Sequence, residues 1–240
     1  LDVDAARERG IRVVDGPGDP VSTAELTWAL VLAGSRHLLS YAGLLRQGLW
    51  QQSSIHPERS RLGRAVHGRT LGIWGYGRIG QRVARYAQAF GMQVMVWGSD
   101  EGQARARNDG LRVADSRADF FAQADVLTLH LRLSDSTRYL ITADDLALMK
   151  PDALLVNTSR AELLAPGALE AALKAGRPGA AALDVFETEP LPPTASLLQL
   201  DNLIATPHLG YVEQDSYEMY FRPLFEAIAD YARERAQEHP

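Results

Sequence analysis

The chain of 240 residues contains no cysteine. This absence excludes disulfide bonds, thiolate metal ligands and a cysteine nucleophile, and it agrees with a reducing compartment. The sequence also lacks any run of 18 apolar residues, and its first residues, LDVD, do not resemble the basic start of a signal peptide. We therefore expect a cytoplasmic location and no membrane partner.

Positive charge is not in excess either. The chain has 25 Lys and Arg against 30 Asp and Glu, a formal net charge of -5, and no segment rich in Lys or Arg. This balance gives no general attraction for phosphate backbones, so we expect no nucleic-acid partner. No group of His, Asp and Glu has the spacing of metal ligands, so we expect no metal. The hydrophobic fraction of 46% is typical of a chain that folds around a core.

Strands and helices alternate through the middle of the chain. Apolar runs predict strands at residues 70–74, 93–97, 125–129, 153–157, 180–185 and 203–206. Amphipathic segments predict helices at residues 78–90, 102–109, 166–175 and 213–236. Because several strands are apolar throughout, they indicate a parallel sheet that is covered by helices on both faces. The predicted fold class is therefore α/β, a doubly wound parallel sheet of the Rossmann type.

The residues before this region have a different character. Residues 11–14 predict a short strand, and the Gly- and Pro-rich residues 15–20 indicate an irregular connection between domains. A capping-box pattern at Ser22 begins a row of apolar residues that predicts one long helix ending near Gly48. Residues 51–68 are polar, and we predict that they are irregular.

A glycine-rich segment follows the first of the middle strands and reads GYGRIG. The pattern GxGxxG alone is a weak signal, because a plain tight turn also uses glycine. Here it lies between a strand and a helix, which is the setting that a dinucleotide-binding turn requires. The first glycine permits the turn, the second lets backbone amides approach a pyrophosphate, and the third lets the helix pack on the strand. The residues predicted to bind a dinucleotide here are Gly75, Gly77, Arg78, Ile79 and Gly80.

The end of the next strand lacks the acidic residue that commonly binds the ribose 2'-hydroxyl of NAD. Gly98 and Ser99 stand at that position, and we expect them to lie beside the ribose. Either the ribose is held in another way or a 2'-phosphate is tolerated, so NAD and NADP are both candidate cofactors. Arg105 and Arg107 are candidate partners for a 2'-phosphate, or else solvated surface charges.

Polar side chains follow three of the later strands. Arg160 comes after the strand at 153–157, and His208 comes after the strand at 203–206. Between them, Glu187 and Glu189 follow the strand at 180–185, and the residues alone do not favour one of these carboxylates over the other as a site residue. Because ligands bind outside the carboxyl ends of strands in open α/β sheets, an Arg, a carboxylate and a His are expected to converge on one crevice. Taken singly, each also fits a surface, loop or structural role.

Four motifs in this order resemble the signatures of the D-isomer-specific 2-hydroxy-acid dehydrogenase family. They are GxGxxG, NTSR ending at Arg160, LDVFETEP containing Asp184 and Glu189, and TPH ending at His208. The resemblance extends over about the whole chain. It implies an oxidoreductase that transfers a hydride between NAD(P) and a small 2-keto or 2-hydroxy acid, with NAD as the commoner cofactor of the family.

The same resemblance implies roles for individual residues. Arg160, Glu189 and His208 would be the catalytic residues. The residues that would contact the cofactor, besides those already given, are Leu131, Thr158 and Asp184, the last at the nicotinamide carboxamide. These residue types suit the reaction, because a forked guanidinium can bind the oxygens of a 2-keto acid. An imidazole can donate a proton in reduction and take one in oxidation, and a carboxylate on its other ring nitrogen fixes its tautomer.

The family resemblance also implies a domain organisation. Residues 1–20 would be the end of a substrate domain and the crossover, residues 21–207 the dinucleotide-binding domain, and residues 208–240 a helical segment that returns to the substrate domain. Most of the substrate domain is then expected to lie outside this sequence. Because family members commonly pair through their cofactor domains, we expect a two-fold homodimer with residues 22–60 near its centre.

Other functions remain open at this point. The family includes a corepressor branch that keeps the fold and uses dinucleotide binding to control assembly, and a truncated pseudoenzyme would carry the same motifs. Phosphite oxidation uses the same three residues, whereas formate dehydrogenases of this superfamily carry Gln where Glu189 stands. Turnover of a 2-keto acid would distinguish the dehydrogenase from a binding protein.

Overall fold

A computed structural model describes residues 2–14, 16, 18–51 and 62–238 of the chain. Its strands are β1 (Thr70–Trp74), β2 (Gln93–Trp97), β3 (Arg112–Val113), β4 (Val126–Leu129), β5 (Leu154–Asn157), β6 (Ala180–Leu183) and β7 (Leu203–Ala205). They form one parallel sheet in the order β3-β2-β1-β4-β5-β6-β7. The sheet confirms the predicted α/β fold class and the strands predicted in the middle of the chain; β3 was not predicted.

Helices flank the sheet and connect its strands. They are α1 (Val3–Glu8), α2 (Pro20–Arg36), α3 (Leu38–Arg46), α4 (Arg78–Ala89), α5 (Asp100–Asn108), α6 (Arg117–Gln123), α7 (Ala143–Ala147), α8 (Ala168–Lys174) and α9 (Gln214–Glu238). The helices predicted in and after the sheet region correspond to α4, α5, α8 and α9. The unpredicted helices α1, α6 and α7 have only five to seven residues, too few to show a clear period in the sequence.

Apolar side chains cover both faces of the sheet. Along β1, Leu71 and Ile73 pack in a layer with residues of α2 and α4, whereas Trp74 packs in the opposite layer. Trp74 contacts Phe120 and Phe121 of α6 edge to face. Burial from both sides explains why the strands read as continuous apolar runs instead of alternating ones.

The single long helix predicted from Ser22 to Gly48 is wrong. Asp19 caps the helix in place of Ser22, and its side chain accepts a hydrogen bond from a first-turn amide. Pro20 occupies the first turn, where its missing N–H has no partner to lose. At His37 the backbone turns left-handed, with φ 51, which ends α2 and starts α3. The helical spacing of apolar residues continues through His37, so the sequence pattern does not indicate that the helix is broken there.

The strand predicted at residues 11–14 is also wrong. These residues have no regular secondary structure, and none of the strands in the described ranges pairs with them. They lie along α9, where Arg12 donates to Glu234 at 3.1 Å and lies over the ring of Tyr231. A short apolar run forms a strand only where a neighbour takes up its backbone hydrogen bonds. Most of the segment predicted to be irregular, residues 52–61, lies outside the described residues.

The strand order places a switch point between β1 and β4. From β1 the chain proceeds outward to β2 and β3, and it then returns to the other side of β1 with β4. Ligand crevices of open parallel sheets form at such a point, outside the carboxyl ends of the strands. Backbone hydrogen bonds from Gly75 N to Trp97 O and from His130 N to Trp74 O join these strand ends. The glycine turn therefore lies at the crevice.

A carboxylate ties the opposite, amino-terminal edge of the sheet together. Asp125, directly before β4, accepts hydrogen bonds from Thr70 N and from Lys150 Nζ, both at 2.8 Å. Partial burial raises the pKa of Asp125. The two hydrogen bonds and the charges of Lys150 and Arg69 outweigh burial, so this pKa lies below its ordinary value.

We expect Asp125→Ala to lower the free energy of unfolding by about 1 to 3 kcal/mol, because Thr70 N–H loses its acceptor. Urea unfolding measures the change, with the exposed Asp135→Ala as the matched control. Because the folded-state pKa is lowered, the stabilisation is present above the ordinary pKa of aspartate and is lost as the pH falls through the folded-state value. Equal stability of the two variants at neutral pH would contradict this role.

Candidate active site

In the glycine turn between β1 and α4, the first and last glycines of the motif are closely packed, whereas the middle one faces open space. Gly75 has φ 101, and a Cβ there would lie 2.7 Å from His130 O. A Cβ on Gly80 would overlap Gly75 O, so this glycine lets α4 contact the turn. At Gly77, by contrast, a Cβ would meet nothing within 4 Å, and the residue is exposed. The open side at Gly77 gives a ligand close access to the backbone.

The amino terminus of α4 begins at that open side. Gly77 is its N-cap residue, and no side chain caps the helix. The first backbone N–H groups, which carry partial positive charge, are therefore available to an anion. Arg78 is exposed and Ile79 is half-buried at the same turn. This arrangement fits a dinucleotide pyrophosphate.

The end of β2 lies beside the glycine turn. A Cβ on Gly98 would lie 3.5 Å from Gly75 N, so the two segments are neighbours. Ser99 is exposed and caps α5 through its hydroxyl. Arg105 and Arg107 each contact a side chain of their own helix. Gly98 and Ser99 therefore lie where a dinucleotide on the turn could place its ribose, and neither residue carries a charge.

Short hydrogen bonds shape the loop after β5. The buried side chain of Asn157 accepts from Ser159 N at 2.9 Å and donates to Arg160 O at 2.8 Å. The Ser159 hydroxyl donates to Leu131 O at 2.5 Å, which joins this loop to the one after β4. Thr158 is buried, whereas Arg160 is exposed. The loop thus has a defined backbone, and the exposed guanidinium of Arg160 contacts it, with Nη1 donating to Ser159 O at 2.6 Å.

His208 and Glu189 form a direct pair. Nδ1 of His208 lies 2.7 Å from Oε2 of Glu189, and Oε1 of Glu189 accepts a hydrogen bond from Phe186 N at 2.9 Å. About a third of each side chain is exposed, 34% for His208 and 36% for Glu189. Within the described residues, the alternative carboxylate Glu187 makes no hydrogen bond to His208. The pair leaves Nε2 of the imidazole for another partner.

The surroundings of Glu189 favour its ionised form. Partial burial raises the pKa of Glu189, but hydrogen bonds from His208 and from Phe186 N, together with the charges of His208 and Arg160, outweigh it. The pKa therefore lies below its ordinary value. The structure thus brings His208 and Glu189 into contact and places Arg160 within electrostatic reach of Glu189.

Asp184, directly after β6, is fully buried. One of its carboxylate oxygens accepts from Thr206 Oγ1 at 2.6 Å and from Leu209 N at 2.7 Å. The other accepts from Gly210 N at 2.9 Å. These donors flank His208, whose backbone is left-handed with φ 55. Asp184 therefore holds the turn that carries His208; its contact with a nicotinamide carboxamide stays a prediction.

Two supporting residues were missed in the sequence. An asparagine at the end of a strand commonly forms a side-chain-to-backbone turn, so a role for Asn157 could have been predicted. Thr206 gave no comparable signal, because its partner Asp184 lies 22 residues away along the chain. That contact depends on the pairing of β6 with β7.

The remaining observations concern other kinds of site. Burial lowers the pKa of His130 to about 3, which keeps the ring neutral. Among the residues that the structure describes, no group of three or more His, Asp or Glu side chains is placed to hold a metal ion. In the same part of the chain, no helix has the length and apolar character needed to cross a membrane.

Known proteins resemble this chain in both sequence and fold. Residues 28–210 match the model of "D-isomer specific 2-hydroxyacid dehydrogenase, NAD binding domain". The chain is 41% identical over 211 residues to the D-3-phosphoglycerate dehydrogenase of Methanocaldococcus jannaschii, and 41% identical over 219 residues to the glyoxylate reductase of Aeropyrum pernix. These matches cover 88% and 90% of this chain, but only 39% and 65% of the two relatives.

A solved structure gives the same result. The phosphoglycerate oxidoreductase of Vibrio cholerae is 50% identical and superposes with a TM-score of 0.91. The match covers 98% of this chain and 73% of that chain. The sequence thus spans only part of the length of the proteins that it resembles.

Two glycine substitutions separate ligand binding from folding. Gly77→Ala adds a methyl group in open space at an ordinary φ of -93, so we expect an unchanged Tm and about tenfold weaker NADH binding, equivalent to about 1.4 kcal/mol. Gly80→Ala forces a backbone shift against Gly75 O and should lower stability by about 1 to 3 kcal/mol. Thermal unfolding and fluorescence titration with NADH measure both effects. Wild-type affinity of Gly77→Ala would show that the dinucleotide does not approach this side of the turn.

Proposed function

The chain belongs to the D-isomer-specific 2-hydroxyacid dehydrogenase family and contains its NAD-binding domain, and on that premise we propose that the protein reduces a small 2-keto acid with NADH. One observation carries the proposal: Nδ1 of His208 lies 2.7 Å from a carboxylate oxygen of Glu189. Glu189 follows β6 and His208 follows β7, so the pair lies at the same edge of the sheet as the glycine turn. A proton donor therefore lies at the edge where parallel sheets bind ligands.

His208 is the proposed proton donor. With Nδ1 held by Glu189, its Nε2 gives a proton to the carbonyl oxygen of the 2-keto acid, and it takes that proton from the hydroxyl group in the reverse direction. The negative charge of Glu189 stabilises the imidazolium and fixes the ring tautomer. The dinucleotide supplies the hydride in reduction and accepts it in oxidation.

Arg160 is the proposed substrate-binding cation. Its forked N–H donors match the carboxylate of a 2-keto acid, and its charge stabilises the oxygen that becomes negative during reduction. Asn157 fixes the backbone of Arg160 by accepting from Ser159 N and donating to Arg160 O. The guanidinium therefore extends from a rigid base, which limits the orientations that the substrate can adopt.

The proposed cofactor site follows the same edge of the sheet. The glycine turn and the start of α4 bind the pyrophosphate, and Gly98 and Ser99 lie at the ribose. The residues proposed for the nicotinamide half are Leu131, Thr158 and Asp184. Because neither Gly98 nor Ser99 can repel a 2'-phosphate, we propose that NADP is also accepted.

The substrate class comes from the relatives. They include proteins named glyoxylate reductase and hydroxypyruvate reductase, and both names refer to small 2-keto acids.

The proposed division into residues 1–20, 21–207 and 208–240 is supported by contacts between the two end segments. Arg12 pairs with Glu234 at 3.1 Å, for example. We propose that both ends belong with a substrate domain, so activity is tested on the full-length protein.

We expect His208→Ala in the full-length protein to lower kcat for glyoxylate or hydroxypyruvate reduction by about 10² to 10⁴, because the proton donor is lost. Arg160→Lys should mainly raise KM, because a point charge replaces a forked donor. Oxidation of NADH and of NADPH, followed by absorbance, measures both effects. His67→Ala is the matched control, since His67 is exposed at the opposite end of β1.

The pH dependence distinguishes the acid from its carboxylate partner. Reduction needs the protonated imidazole, so kcat/KM should fall as the pH rises. Glu189→Gln keeps a hydrogen-bonding group but removes the charge that favours the imidazolium, and this fall should therefore begin at lower pH. Near-normal turnover by His208→Ala, or an unmoved profile in Glu189→Gln, would argue against these assignments.

We also propose that the protein forms a two-fold homodimer. Large apolar side chains are exposed on α3 and beside it, and the set comprises Leu38, Leu39, Leu45, Trp50 and Leu62. Trp50 is 68% exposed and Leu62 is 73% exposed. An apolar patch of this kind commonly marks an interaction surface. The patch overlaps the segment 22–60 expected from the sequence, of which residues 52–60 lie outside the described residues.

Light scattering at micromolar concentration should give the mass of a dimer for the wild-type protein. Leu39→Asp combined with Trp50→Asp should give a monomer, because two charges would be buried in the interface without partners. Leu198→Asp is the control, since this leucine is 41% exposed and lies in the segment before β7. A monomeric wild-type protein would contradict the proposal.

A further inference from the structure

Helix α2 lies directly on the strands that lead to the site. Near its carboxyl end, a Cβ on Gly34 would lie 2.7 Å from the side chain of Leu154 in β5. The helix also contacts β6. Near its amino end, Thr23 and Thr27 are four residues apart and so lie on one face of the helix. Both reach the loops of the proposed active site.

Thr27 contacts the loop that carries Arg160. It is fully buried, and its Oγ1 donates to Thr23 O at 2.8 Å and lies 2.7 Å from Oγ1 of Thr158. Because a hydroxyl has only one hydrogen, Thr158 is the donor within the threonine pair. The hydroxyl hydrogen of Thr158 is therefore directed toward α2. The position of Thr158, two residues before Arg160, is thus fixed by the helix.

Thr23 contacts the turn that carries His208. Its hydroxyl donates to Gly210 O at 2.8 Å, while Gly210 N donates to the carboxylate of Asp184 at 2.9 Å. A Cβ on Gly210 would lie 3.4 Å from both the Asp184 carboxylate and the Thr23 hydroxyl, so the turn fits closely between them. Gly210, two residues after His208, is therefore held from two sides, by Asp184 after β6 and by Thr23 of α2.

We propose that Thr23 and Thr27 are positioning residues that fix His208 and Arg160 relative to each other from a single helix. The loop of His208 follows β7 and the loop of Arg160 follows β5, and β6 separates these two strands in the sheet. A rigid helix that bonds to both loops sets the distance between proton donor and substrate-binding cation. This inference rests on the proposed function, since the threonines act only through those two residues.

Valine variants of the full-length protein remove each hydroxyl while keeping its shape. We expect Thr23→Val to lower kcat about tenfold with little change in KM, because the turn of His208 loosens. Thr27→Val should raise KM for the 2-keto acid about tenfold, because the loop of Arg160 loosens. Thr23→Ser and Thr27→Ser keep the hydroxyl and should restore wild-type values. A purely structural role would not divide kcat and KM in this way.

Thr128→Val is the matched control. Thr128, in β4, is as buried as Thr27, and its hydroxyl reaches Gly72 O at 3.4 Å. We expect this variant to keep wild-type kcat and KM even if its Tm changes. In the background of His208→Ala, Thr23→Val should have little further effect, because the side chain that it positions is absent.

The outcomes separate this inference from the proposed function. If His208→Ala loses activity while both valine variants keep wild-type kinetics, the positioning role is overturned and the proposed function stands. Equal kinetic losses in all three valine variants, or no recovery in the serine variants, would also overturn it. Full activity of His208→Ala would overturn the proposed function itself.

Discussion

The site depends on one buried charge. Asp184 has no exposed surface, and its carboxylate accepts three hydrogen bonds from the segment around His208. A buried carboxylate is costly unless it is hydrogen-bonded, so it needs these donors as much as the turn needs an acceptor. The carboxylate and the turn therefore stabilise each other. Any change that displaces the turn leaves a buried charge without partners, which restricts His208 to one place.

Because all strands run in the same direction, the loops that carry the candidate site residues lie at one edge of the sheet. Loops after β1, β5 and β7 all lie at the carboxyl edge of the sheet. They supply an uncapped helix start, an exposed arginine and a histidine with one ring nitrogen left over. At the amino edge the polar groups are matched to each other, as Asp125 is with Thr70 N and Lys150. One edge is thus built for stability and the other keeps groups available to ligands.

The strands could be predicted because a strand that is buried on both faces appears in the sequence as a continuous apolar run. The break at His37 could not be predicted, because it depends on a single backbone angle. The irregular conformation of residues 11–14 could not be predicted either, because it depends on the fact that no strand among the described residues pairs with them. Arg160, Glu189 and His208 are predicted site residues because they follow strand ends and lie in ordered motifs. The contact between Thr27 and Thr158 spans 131 residues of sequence, so only the folded chain reveals it.

Energetics explain how a histidine occupies position 208. Its left-handed backbone, with φ 55, is a conformation that favours glycine and costs on the order of 1 to 3 kcal/mol for other residues. Asp184 accepts three hydrogen bonds from this segment, and a change of the backbone angle at His208 would break some of them. These bonds oppose the strain, so the turn persists without glycine. The chain can thereby keep an imidazole where the backbone alone would favour a residue with no side chain.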